Sequence, residues 1–93
     1  AKAALAHLTR LQARALSPEI RVNGIAPGAV LPPDDWPEDR RTALAQIASL
    51  KRVGSPEDVA QAVLFFAKAE FVTGQILAVD GGRSLGPAGP PVS

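Results

Sequence analysis

The sequence predicts an α/β layer built around parallel strands, and three observations carry that reading. Amphipathic helical patterns alternate with short apolar runs along the chain. The run Gln75 to Asp80 is nearly continuous in apolar residues, as befits a strand covered on both faces of a parallel sheet. The apolar mass is Ala, Val, Leu and Ile, while aromatic residues make up only 4% of the chain. The resulting order, helix, strand, helix, helix, strand, asks for strands with parallel neighbours. Two strands alone are marginal, so the rest of the sheet is expected from another chain or from a further portion of this one.

Each element has its own signal. In AKAALAHLTRLQARAL, apolar residues recur at three- and four-residue steps through Leu5, Leu8, Leu11 and Ala15 with Leu16. No capping residue opens this helix, and no methionine occurs in the chain; the expectation is a chain that starts inside a helix. Ser17-Pro18-Glu19 breaks the pattern. Ile20 to Ala26 alternates loosely as a strand and stops at Pro27-Gly28. Ala29 to Asp39, rich in proline and acids and holding the single Trp36, predicts a long loop suited to function. Arg40 to Leu50 carries a weaker helical pattern. Ser55-Pro56-Glu57-Asp58 then supplies an N-cap serine, a proline at the first helical position and two acids facing the helix dipole. Val59, Val63, Leu64 and Phe66 continue that helix on one face. Phe71 to Gly74 turns the chain into the last strand, and Gly81-Gly82 ends it. Residues 1–85 are expected to belong to one domain, with 86–93 as a proline-rich tail.

Composition excludes several classes. Ten basic against nine acidic residues give a formal charge of +1, so no nucleic-acid or anionic-membrane partner is expected. With no cysteine and a single histidine, His7, no disulfide framework and no metal site are expected. No apolar run reaches the roughly 18 residues that suggest a bilayer span. A reducing, cytoplasmic setting fits that usage.

Four segments, quoted in order, carry a resemblance. Lys2 with AALAHLTRLQARAL, then IRVNGIAPGAV, then LKRVGSPEDVAQAVLFFA, then FVTGQILAVDGGRSL, closely resemble the C-terminal part of the short-chain dehydrogenase/reductase family. The resemblance implies a portion of a Rossmann-like doubly wound sheet, incomplete without its upstream half. It implies an oxidoreductase using NADP or NAD, with hydride passing to or from a carbonyl or C=N substrate. In that family a Tyr-x-x-x-Lys motif works on a long helix, and Lys2 matches its lysine. The chain holds no tyrosine, so activity is expected only together with the N-terminal portion of the same enzyme. Lys2 would then favour the tyrosine phenolate and hold the nicotinamide ribose; the alternative is a solvated lysine at a helix end.

Pro27, Gly28 and Val30 match the family's segment beside the nicotinamide, where ligands of open α/β sheets bind. A family threonine that contacts the cofactor is replaced here by Pro32. Pro27 to Pro33, PGAVLPP, together with DGGRSL, resembles pteridine reductases. Leu31 and Trp36 would then belong to a substrate loop, with Trp36 as a wall or lid residue; a packed surface tryptophan is the alternative. A 3-oxoacyl thioester reductase and a catalytically silent scaffold of the same fold are the competing functions. A homotetramer acting on a small molecule is expected by resemblance. His7, Arg10 and Arg14 form a solvated stripe or a subunit contact. Asp34 and Asp35 are adjacent loop residues that point apart, and Asp80-Gly81-Gly82 is structural rather than ligand-binding.

Overall fold

The computed structural model describes residues 2–28 and 36–86, with the Lys2 side chain outside the description. Helix α1 spans Lys2–Leu16, strand β1 Gly24–Pro27, helix α2 Glu38–Ile47, helix α3 Pro56–Lys68 and strand β2 Ile76–Val79, followed by a 3-10 turn at Arg83–Leu85. The strands pair in parallel, with Gly24 opposite Ile76 and Pro27 opposite Val79. Parallel neighbours need a long crossover, and α2 and α3 lie within it.

The predicted order of elements is the observed one, while several boundaries move. β1 begins at Gly24 rather than Ile20. The residues just before it spend their hydrogen bonds elsewhere. Val22 N donates to Thr73 Oγ1 at 3.1 Å and Val22 O accepts from Gly74 N at 2.7 Å. The Asn23 amide bridges Val72 O and Gln75 N, both at 3.1 Å. Helix α2 begins at Glu38, within the predicted loop, because the Pro37 carbonyl accepts from Arg40 N and Arg41 N at 3.1 Å. It ends at Ile47, three residues short of the predicted Leu50.

Two close approaches fix the direction of α1. A side chain at Gly24 would begin 3.7 Å from Thr9 Oγ1, and one at Gly74 would begin 3.5 Å from Ala13 Cβ. Stepping back one turn along α1 therefore means stepping forward along the strands, so helix and strands run antiparallel. Helix α3 packs on both strands. Its C-terminal carbonyls are gathered by the Arg21 guanidinium, which donates to Phe66 O at 2.6 Å, Ala69 O at 2.8 Å and Ala67 O at 3.2 Å.

Among the described residues the buried apolar side chains are three alanines, Ala13, Ala48 and Ala62. Thr9 is buried as well and returns its hydroxyl to Leu5 O at 2.9 Å. Larger apolar groups stay open: Leu5, Leu8 and Leu11 on α1 are each at least half exposed, and Ile76 and Leu77 are 37% and 40% exposed. The last strand thus carries an apolar run fit for two covered faces, while within the described residues most of it faces outward.

Candidate active site

The carboxyl ends of parallel strands are where open α/β sheets bind ligands, because the loops leave there and the crevice opens there. In this chain that edge is formed by Pro27, Gly28, Val79 and Asp80. Gly28 N donates to Val79 O at 2.9 Å, extending the ladder one residue past β1. Pro27 is exposed and Gly28 half-buried.

Lys2 opens α1, whose direction relative to the strands bears on this edge. Helical rise of about 1.5 Å per residue carries Lys2 roughly 10 Å beyond Thr9, and strand rise of about 3.3 Å carries Pro27 and Gly28 a similar distance beyond Gly24. Antiparallel packing puts those two advances in the same direction. By these ideal rises the start of α1 points toward the end of the sheet that carries Pro27 and Gly28. Val30 and Leu31, with Pro32, Asp34 and Asp35, lie outside the described residues. Trp36 is half-buried and tied to α2: the Arg40 guanidinium carbon stands 5.1 Å from its ring centroid, and Arg41 Nε donates to its carbonyl at 3.3 Å.

Glycine at position 28 has a reason inside the chain. A side chain there would begin 2.7 Å from Asp80 Cα and 2.8 Å from Asp80 Cβ, inside van der Waals contact. The close approach that this glycine permits is first of all to Asp80. Asp80 itself closes the turn after β2, its Oδ1 accepting from Gly82 N and its Oδ2 from Ser84 N, both at 3.0 Å. Gly82 has φ of 89°, and a side chain on it would begin 2.7 Å from Ser49 Cβ, so glycine is required there on two counts.

A cavity of about 360 Å³ lies beside this edge, between Asp80, Leu77 and the start of α3 at Arg52 and Asp58. Two of its three charged lining residues, Arg52 and Asp58, are matched to each other. Arg52 holds the Asp58 carboxylate at 2.8 and 2.9 Å, and Ser55 N donates to the same carboxylate at 2.8 Å. The Arg52 hydrogen bond, followed by the Ser55 amide, holds the Asp58 carboxyl well below its ordinary value of 3.8. The pair serves the helix start, and leaves this cavity without an unmatched Arg52–Asp58 charge to offer a ligand.

A family model described as Enoyl-(Acyl carrier protein) reductase matches residues 1–84. The chain belongs to the short-chain dehydrogenase/reductase family. Among curated relatives of this short-chain dehydrogenase/reductase chain, the uncharacterized oxidoreductase MT0954 of Mycobacterium tuberculosis is 44% identical over 91 residues, covering 91% of this chain and 35% of the relative. The 3-oxoacyl-[acyl-carrier-protein] reductase FabG of Thermotoga maritima is 45% identical over 87% of this chain and 35% of its own length. Pteridine reductase 1 of Leishmania tarentolae is 44% identical over 91% of this chain and 31% of its own. The chain thus spans about a third of these three proteins. Among solved structures, ligand-free aldohexose dehydrogenase of Thermoplasma acidophilum superposes with a TM-score of 0.84 at 31% identity, over 98% of this chain and 42% of that one. A small-chain dehydrogenase in complex with NADPH gives 0.75 at 36% identity, over 90% and 41%. The two strands and their helices are accordingly part of a Rossmann-like α/β fold.

Sequence reasoning missed how Arg21, Asn23 and Asp80 work. The partners of Arg21 and Asn23 lie across the fold, whereas Asp80, followed by two glycines and a serine at i+4, carried a local sign of a carboxylate-closed turn.

Proposed function

We infer that this chain is one part of a nicotinamide-dependent oxidoreductase, with hydride passing to or from a carbonyl or C=N group of a small molecule. The observation that carries the reading is the family match over residues 1–84, with Lys2 at the start of α1 and Pro27 at the carboxyl end of β1. NADP or NAD suits the residues present: an exposed proline and a glycine without a side chain leave a flat approach to the strand end, and relatives include a dehydrogenase solved with NADPH. When bound, the nicotinamide supplies the hydride chemistry.

The chain's own residues do the rest of the work assigned here. The Lys2 ammonium favours the phenolate of a tyrosine one helical turn upstream in the complete enzyme, and donates to the ribose hydroxyls. Pro27, Gly28 and Val30 line the nicotinamide side. Leu31 and Trp36 border the substrate. The N-terminal portion of the enzyme covers the open faces of α1 and the strands, and the complete enzyme assembles as a homotetramer.

A pteridine is the first substrate, on the likeness of Pro27 to Pro33 to pteridine reductases and on the Leishmania relative. A 3-oxoacyl thioester is the alternative, on the Thermotoga relative. The test is titration of the complete protein with NADPH and NADH, followed by turnover of a dihydropteridine and a 3-oxoacyl thioester read by nicotinamide absorbance. Binding with turnover of either substrate supports the reading. Absence of binding by both nicotinamides defeats it in favour of a silent scaffold.

A further inference from the structure

The turn after β2 is attached on two sides. Its shape comes from one carboxylate: Asp80 Oδ1 and Oδ2 take the amides of Gly82 and Ser84, while the Asp80 carbonyl accepts from Arg83 N at 3.1 Å. Hydrogen bonds to an ionised acceptor are the stronger kind. From the turn so folded, Gly81 O accepts from Leu50 N at 2.8 Å and Gly82 O accepts from the Ser49 hydroxyl at 3.3 Å. These bonds anchor the chain as it leaves α2. Asp80 also stands close enough to Gly28 that a side chain added there would begin 2.7 Å from Asp80 Cα and 2.8 Å from its Cβ. The turn therefore contacts the chain where it leaves β1 and again where it returns from α2, on either side of the stretch assigned to nicotinamide and substrate.

We propose that Asp80 is a positioning residue for the cofactor-facing edge, its carboxylate folding the turn that sets where Gly28 stands and where Ser49 and Leu50 are anchored. The role rests on the nicotinamide reading above. Asp80 acts through backbone and touches no cofactor. Without the carboxylate, the amides of Gly82 and Ser84 lose their acceptors, the turn opens, and the backstop behind Gly28 shifts. Displacement of a positioning group by about 1 Å costs on the order of a hundredfold in rate.

Three variants of the complete protein separate this role from general stability. Asp80→Ala removes both acceptors, Asp80→Asn keeps one oxygen, and Asn23→Ala breaks two hydrogen bonds at the far end of the same strands. Hydrogen exchange at the Gly28 and Leu50 amides and affinity for NADPH and NADH are measured for each. The expected result is faster exchange at Gly28 and Leu50 in Asp80→Ala, with affinity weaker by about tenfold and kcat/KM lower by roughly a hundredfold. Asp80→Asn should fall between, and Asn23→Ala should keep affinity within about twofold because its bonds lie at the other edge. Unchanged exchange in Asp80→Ala overturns the proposal whatever the protein binds. Faster exchange with parental affinity and turnover overturns the positioning role while the nicotinamide reading stands. A parent that binds neither nicotinamide removes that reading and the positioning role with it.

Discussion

At Gly28 one missing carbon decides how closely two strand ends can meet. Gly28→Ala would place a methyl against Asp80 backbone rather than against a flexible side-chain tip, so the backbone must give. The expected cost is roughly 1–3 kcal/mol, read by denaturant unfolding of the complete protein; a variant as stable as the parent would show that the ends separate freely. Lys2 tests chemistry instead of packing. On the proposed mechanism Lys2→Met removes the ammonium beside a tyrosine one turn upstream, whose pKa should climb toward about 10. Oxidation needs the phenolate, so the rate at neutral pH should fall by roughly a hundredfold or more and the pH profile should move upward. Lys2→Arg should rescue only in part, since a planar guanidinium keeps the charge without the compact ammonium geometry. A parental profile for Lys2→Met would leave Lys2 a helix-end lysine.

Helix α3 shows which elements a sequence declares and which it hides. Its start was legible because capping is local: Ser55 Oγ accepts from Asp58 N at 3.3 Å while Asp58 accepts from Ser55 N, all within four residues. Its end at Lys68 agrees with the sequence, which turns at Phe71 to Gly74, but the group that caps it, Arg21, lies more than 40 residues away and left no local sign. The same distinction explains β1. Ile20 to Asn23 has strand-like composition, but Arg21, Val22 and Asn23 are committed to the α3–β2 connection, so the ladder begins later. At the site, Pro27-Gly28 was recognisable as a strand end, whereas the contact of Gly28 with Asp80 joins residues from different strands and leaves no mark in either segment. The start of α3 also sets a pH dependence. Arg52 is 58% exposed and Asp58 24%, so salt screens their charge attraction and the carboxylate's accepted hydrogen bonds matter more. Asp58 has its folded value lowered, so its contribution is fully present above the ordinary carboxylate range. It is lost as pH falls through the depressed folded value. Hydrogen exchange of the first α3 amides should hold steady from neutral pH down to about 4, after allowing for the intrinsic rate, and rise only in stronger acid. Asp58→Asn should exchange faster at neutral pH and lose that acid step; an unaltered step would assign it to another group.

For the whole molecule, the deciding fact is that among the described residues alanines are the buried apolar side chains while the leucines of α1 stand open. Burial of large side chains is the main source of stability, worth about 1.5–3 kcal/mol each, and the described residues bury none of them fully. The chain on its own should therefore show no cooperative thermal transition by circular dichroism, and addition of the remaining portion of the enzyme should produce one. A sharp transition for the 93 residues alone would refute the reading of these faces as internal. The assembled enzyme should scatter light as a tetramer at micromolar concentration, and a monomer there would remove the proposed assembly.

The Arg21 clasp has a consequence for the order in time in which α3 is completed. Its N-terminal cap joins residues three apart in sequence, whereas the three bonds of Arg21 span 45 to 48 residues. Closing so long a loop costs chain entropy before any bond rewards it, so the helix is expected to wind from Ser55 before Arg21 fastens its end. Contacts made that late are absent from the folding barrier. Arg21→Ala should consequently speed unfolding and leave the refolding rate of the complete protein nearly unchanged. Stopped-flow traces in which refolding slows in proportion to the lost stability would place the clasp among the first contacts made.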